Sequence, residues 1–253
     1  VLTLAVAEGI MNGMRSLQKV KDFNSDDEPV FADALTKSIH KWGNLYPYAG
    51  YGGAFRRWLA SENPEPYNSW GNGSAMRASY AGWIAQSLED AEFLATASAS
   101  VTHNHPEGIK GAVAIAGSIY LLRNSDPADA KETVKRYVSK LYDLDLTLDE
   151  IRPVYHFDVS CQGSVPQAIQ AFLEGESFSE VLALAISIGG DSDTIAAMAG
   201  SLAEVIYPIP DGMRDRVLKR LDYTFKSCLA GTIDFLIDNL NKISGLESSA
   251  ISS

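Results

Sequence analysis

Two aspartates and a hydroxyl stand behind a pair of glycines in Gly189-Gly190-Asp191-Ser192-Asp193-Thr194. Hard divalent cations such as Mg²⁺ and Mn²⁺ take oxygen ligands. Carboxylates two residues apart can converge on one ion where the backbone before them turns sharply, and glycine permits such a turn. The competing reading is a helix start, with one aspartate capping the first turn and another favouring its dipole. A cap needs one acidic residue, and this block offers two plus a threonine. On residue types alone, cation binding by Asp191, Asp193 and Thr194 and capping of the following helix both stay open.

Three other stretches carry residue types suited to chemistry. In Thr102-His103-Asn104-His105-Pro106-Glu107-Gly108, two of the chain's four histidines are two residues apart just after a helical stretch. They suit a substrate or a metal, or equally a solvated loop whose histidine meets the end of a helix. No cysteine is nearby and the spacing is not that of a zinc site. In Gly50-Tyr51-Gly52-Gly53-Ala54-Phe55, glycines let backbone N–H groups approach a phosphate closely; a plain tight turn would use the same residues. In Ser69-Trp70-Gly71-Asn72-Gly73-Ser74-Ala75-Met76-Arg77, an asparagine between glycines precedes a helix. Its small residues leave room for a sugar-bearing ligand, and Arg77 is a candidate partner for a carboxylate or a phosphate. Asn-Gly is also an ordinary turn.

The elements that must position these residues read as helices. Leu2, Val6, Ile10 and Met14 recur at helical spacing. The segment DEPVFADALTKSIHKWGN continues as an amphipathic helix that should stop at Gly43. From Leu45 to Ser74 glycine, proline, asparagine and aromatics dominate; long ordered loops of this kind often carry function. Helical texture resumes from Ala75 to His103 and continues through GIKGAVAIAGSIYLLRN. Asp126 with Pro127 marks one further helix start, and Ser164 with Pro166 another. SFSEVLALAISIGG, DSDTIAAMAGSLAEVIYPIP, DGMRDRVLKRL and CLAGTIDFLIDNLNK complete the set. With no strand alternation, no fixed-period repeat, and neither a P-loop nor a G-x-G-x-x-G in a strand–turn–helix setting, the expected fold is all-α. About ten helices would form a single compact orthogonal bundle over 1–243, followed by a disordered tail over 244–253.

Composition bounds the rest. The 253 residues are 46% hydrophobic and 21% charged, enough for a sizeable core. The 32 acidic residues against 21 basic give a net charge of −11, which argues against a nucleic-acid partner. Two cysteines, Cys161 and Cys228, suggest neither a disulfide framework nor a zinc site, so both are read as reduced residues of a cytoplasmic protein. No apolar run approaches the roughly 20 residues that span a bilayer, and no signal-peptide pattern is visible. Monomer is the default expectation.

Taken in order, GNGSAMR, THNHPEGIKGA and IGGDSDTIAAMAGSL resemble the motifs of the ADP-ribosylglycohydrolase family, over a span from Val1 to about Pro210. The resemblance implies an all-helical fold with two Mg²⁺ or Mn²⁺ ions in a cleft and hydrolysis of the N- or O-glycosidic bond between ADP-ribose and an acceptor. The acceptor would belong to an ADP-ribosylated protein or a small-molecule ADP-ribose conjugate. By similarity Asp191, Asp193 and Thr194 would be metal ligands, and the two aspartates would be the catalytic residues. Gly50, Tyr51, Gly52 and Gly53 would form the loop that approaches the diphosphate. Asn72, Gly73, Ser74 and Met76 would line the ADP-ribose cleft, and His103 would sit at its ribose or adenosine side. The family's other metal ligands come from a Thr-Asp-Asp-Thr stretch directly before a helix like VLTLAVAEGIMNG. Val1 instead opens on that apolar run without an N-cap, so the expectation is a sequence that starts inside or just before a helix and carries half of the metal site. A module that binds ADP-ribose without cleaving it, or a structural relative, is the alternative.

Overall fold

The first helix shows how this sequence makes its elements. In α1, Leu2–Leu17, an apolar stripe is buried against the rest of the chain, and Gln18 ends the helix in the left-handed conformation. A computed structural model describes residues 1–250, with side chains for 1–241. The remaining helices are α2 Glu28–Leu45, α3 Gly53–Leu59, α4 Ser79–Ile84, α5 Leu88–Ser100 and α6 Pro106–Asn124. They are followed by α7 Ala130–Val138, α8 Leu148–Ile151, α9 Cys161–Glu174, α10 Phe178–Ser187, α11 Ser192–Ile206, α12 Asp211–Arg220 and α13 Tyr223–Ala250. Short 3₁₀ turns cover Ser25–Asp27 and Ala75–Arg77. Among the described residues no strand forms, and the protein is all-α as its periodicities require.

Two apolar clusters share α6. One gathers side chains of α1 to α5 with Ala112 and Ala116 of α6. The other gathers α7, α9, α10 and α11 with Ala114, Ile115, Ile119 and Leu122 of the same helix. An alanine-rich helix can serve both sides because its small side chains let neighbours approach closely. Across one end of this arrangement a single antiparallel bridge joins Gly71 to Ser160. Asn72 N donates to Val159 O at 2.8 Å and Cys161 N to Trp70 O at 2.8 Å. This bridge fastens the loop before α4 to the start of α9.

Several expected boundaries move. The second helix passes Gly43 and ends at Leu45: the glycine there makes room for Leu59, whose Cδ2 would lie 2.4 Å from an added Cβ. The loop expected over 45–74 contains α3. The long helical stretch from Ala75 is broken at Ala85, where the chain becomes extended, and Ser87 starts α5 by accepting from Asp90 N. Asp126 opens a turn instead of a helix, its Oδ1 accepting from Ala128 N at 2.9 Å, and α7 begins at Ala130. Ser160, not Ser164, caps α9, which leaves Pro166 inside that helix. The expected tail, 244–253, starts within α13, and residues 251–253 lie outside the described ones.

Candidate functional site

Gly189 and Gly190 both adopt positive φ, +78° and +63°, and turn the chain from the end of α10 into α11. The second glycine also makes a close approach possible, since a Cβ there would stand 2.6 Å from the Tyr155 ring. Asp191 then occupies the N-cap position without a side-chain bond to the helix. Its carboxylate turns outward, and Oδ2 accepts a 2.7 Å hydrogen bond from Asn72 Nδ2, 119 residues away in sequence. The Thr194 hydroxyl faces the Met76 sulfur at 3.9 Å. Asp193 is exposed in the first turn of α11. The aspartate block is thus a helix start whose capping residue is used elsewhere.

The Asn72 loop is held from both sides. On one side lies the bridge to Val159–Cys161. On the other, Tyr67 N donates to Thr102 O at 3.1 Å and Asn68 N to Asn104 Oδ1 at 2.7 Å. Ser74 is fully buried and donates to Gly108 O at 2.7 Å, so it anchors the loop to α6. His103 lies beneath the glycines: its Nε2 would be 3.2 Å from a Cβ on Gly73. His105 caps α6 by accepting from Glu107 N at 3.1 Å, and its ring meets Trp70 edge-on at 5.5 Å.

Arg77 differs from its expected role. It is fully buried and pairs with no carboxylate among the described residues. Its Nη2 donates to Ser98 O at 2.8 Å and to Thr102 Oγ1 at 2.7 Å, while Nε and Nη1 have no partner among the described residues. Burial lowers its pKa to about 10. Thr102 Oγ1 in turn lies 2.7 Å from His103 Nδ1. Burial first, and the Arg77 charge second, push His103 down to about 3, so the imidazole is neutral.

Asn72, Gly73, Met76, His103, Asp191 and Thr194 therefore come together, with Ser74 as their anchor. The glycine loop makes contacts of its own. Gly50 has φ +78°, Gly52 is extended and Gly53 opens α3. Tyr51 packs edge-on against Phe55 at 5.0 Å, its hydroxyl buried without a partner among the described residues. Among the described residues, no hydrogen bond or ring contact joins these four to Asn72, His103 or Asp191.

Four residues of the site escaped the motif reading. Asp158 Oδ1 accepts from Ser160 N at 2.7 Å and shapes the approach to α9. Tyr155 donates to Gly163 O at 2.7 Å; burial, then Asp158 and Asp191, raise it to about 12. Ser164, buried beneath Asn72, completes the group with Ser160. An aspartate two residues before a serine at a helix start was the available signal.

The donors suit a divalent cation in kind: two carboxylates and a hydroxyl, all hard oxygens. They fall short in number, since Mg²⁺ takes about six oxygens and no group of three or more His, Cys, Asp or Glu able to hold an ion occurs among the described residues. Asp191, Asp193 and Thr194 would therefore supply only part of a cation's oxygen shell, the remainder falling to water, substrate or further protein oxygens.

The family profile described as ADP-ribosylglycohydrolase matches residues 1–244. An uncharacterised protein of Archaeoglobus fulgidus is 32% identical over 166 residues, covering 57% of this chain and 53% of that protein. Human ADP-ribosylhydrolase ARH3 is 29% identical over 183 residues, covering 55% and 50%. The ADP-ribosylarginine hydrolase Tri1 of Pseudomonas putida is 28% identical over 146 residues, covering 55% and 39%. The chain spans about half the length of these first two relatives. Among solved structures, an ADP-ribosylglycohydrolase-related protein complex superposes with a TM-score of 0.52 at 22% identity, covering 79% of this chain and 69% of that one, a likeness of fold.

Proposed function

The chain belongs to the ADP-ribosylglycohydrolase family, and on that premise we propose that it hydrolyses the N- or O-glycosidic bond between ADP-ribose and an acceptor on a protein or a small molecule. The observation that carries this reading is the 2.7 Å bond between Asn72 and Asp191. It brings a small-residue loop suited to a sugar nucleotide against a segment of two carboxylates and a hydroxyl.

Each residue has a task in this reading. Asp191, Asp193 and Thr194 would hold Mg²⁺ or Mn²⁺, two ions in the complete site. When bound, the cation supplies charge that polarises ribose hydroxyls and makes water a better nucleophile. Cleavage of the glycosidic bond develops oxocarbenium character at the anomeric carbon, which nearby carboxylate charge favours. The Gly71–Gly73 backbone admits the ligand, and Asn72 orients it. His103 contributes as a neutral donor. Thr102 Oγ1 accepts from Arg77 and meets His103 Nδ1 at 2.7 Å; in this reading its proton goes to Nδ1, which puts the ring proton on Nε2, against the glycine loop. The buried Arg77 charge adds positive potential that favours an anionic diphosphate. Gly50, Tyr51, Gly52 and Gly53 would offer backbone N–H groups to that diphosphate. We place the protein as a cytoplasmic monomer.

The shortage of cation ligands favours a second reading, a module that binds ADP-ribose without turnover. Release of ADP-ribose from an ADP-ribosylated peptide, with Mg²⁺ or Mn²⁺ and with chelator, separates the two. Hydrolysis expects metal-dependent release that falls at least 100-fold in Asp191→Ala. Binding of ADP-ribose by calorimetry without any release would establish the module, and release unaffected by chelator and by Asp191→Ala would overturn the role of the aspartates.

A further inference from the structure

The side-chain amide of Asn72 donates twice, to Asp191 Oδ2 at 2.7 Å and to Ser164 Oγ at 3.2 Å. An asparagine amide has two orientations that differ by exchanging its oxygen and nitrogen, and only its partners choose between them. Neither partner of Asn72 donates to it: the Asp191 carboxylate only accepts, and the Ser164 proton goes elsewhere. Ser164 is fully buried, and its one proton is spent on Ser160 O at 2.6 Å, one turn back in α9. Its oxygen can then only accept, so the group facing it must be NH₂. The second N–H of that group meets Asp191. Asn72 Oδ1 is left as the one polar atom of the side chain without a partner among the described residues.

We infer that Ser164 is a positioning residue: through Asn72 it fixes the Asp191 carboxylate and leaves Asn72 Oδ1 as an acceptor for a ligand hydroxyl. With the amide reversed, Oδ1 would face Asp191 Oδ2, oxygen against oxygen, and the carboxylate would turn away. Ser160 belongs to the same device, since its Oγ caps α9 by accepting from Gly163 N at 3.0 Å while its carbonyl orients Ser164. The inference rests on the reading of Asp191 as a site residue and goes beyond it by assigning the group that sets its direction.

The test uses the full chain, ¹⁵N-labelled and metal-free, with Asn72 side-chain signals identified by their loss in Asn72→Asp. Native protein should show two distinct, exchange-protected Asn72 amide protons, and Ser164→Ala should collapse them toward free-amide values while its melting transition remains cooperative. Manganese binding by calorimetry should weaken roughly 10- to 100-fold in Ser164→Ala, as expected when the support of a ligand is removed, and Ser164→Thr, which keeps the hydroxyl, should restore both readouts. Amide signals unchanged in Ser164→Ala, or a manganese affinity within twofold of native, would overturn the inference. Should native protein and Asp191→Ala bind manganese alike, the cation reading fails, and the amide spectrum still decides whether Ser164 sets Asn72.

Discussion

His103 is a buried residue that its surroundings hold uncharged. Desolvation and the Arg77 charge hold its folded pKa near 3, below the ordinary 6.5. The unfolded state therefore binds the proton first, so stability is full above about pH 6.5 and is lost as pH falls toward 3. Relative to His103→Gln, native protein should lose up to about 1.4 kcal/mol per pH unit inside that window, read from urea melts between pH 4 and 7. Equal slopes for the two proteins would mean that His103 protonates within the fold. The histidine pair was visible in the sequence, but the division of labour was not: His103 is buried under the glycine loop while His105 caps α6. Nor could spacing reveal that Arg77 turns inward to Thr102, because that depends on α5 ending beside the 3₁₀ turn at Ala75–Arg77.

At the scale of elements, the turn between α10 and α11 does the positioning. Both glycines are left-handed, and they differ in surroundings. Nothing lies within 4 Å of a Cβ on Gly189, whereas one on Gly190 meets Tyr155. Gly189→Ala should cost about 1–2 kcal/mol from backbone strain alone. Gly190→Ala should cost more in thermal melts and should also weaken manganese binding, because displacing Tyr155 disturbs the loop that pairs with Asn72. Equal effects of the two substitutions would argue against Tyr155 as a support. The Gly-Gly pair and both flanking helices were legible, since glycine after an apolar run is a strong stop. Gly43 misled because its glycine serves packing against Leu59 and not termination. Ser164 misled because a serine near a proline resembles a cap, and only the bridge to Gly71 shows that the cap of α9 lies four residues earlier, at Ser160.

In the whole molecule, α6 divides the apolar interior, and α13 closes the side formed by α1 and α2. Phe225 packs on Tyr46 at 4.6 Å and on Trp42 at 5.5 Å, and the Tyr46 hydroxyl donates to Asp222 at 2.7 Å. Phe225→Ala should destabilise by about 2–3 kcal/mol, toward the low end for phenylalanine truncation because the ring is half-buried. Activity per folded molecule should stay unchanged, since this aromatic group contacts none of the site residues; a drop in that activity would couple α13 to the site. No described helix is long and apolar enough to cross a membrane. Fold class followed from helical periodicity throughout, and the motif residues were found by type. What the sequence could not show was pairing across long separations, such as Asn72 with Asp191, because each half is a credible turn or cap by itself. That pairing is the centre of the account, and one measurement addresses it most directly: anomalous diffraction from crystals of the protein soaked with Mn²⁺ and ADP-ribose. The expected result is a manganese peak beside the Asp191 carboxylate, with the nucleotide sugar over Gly71–Gly73. Nucleotide bound elsewhere, with no peak near Asp191, would contradict it.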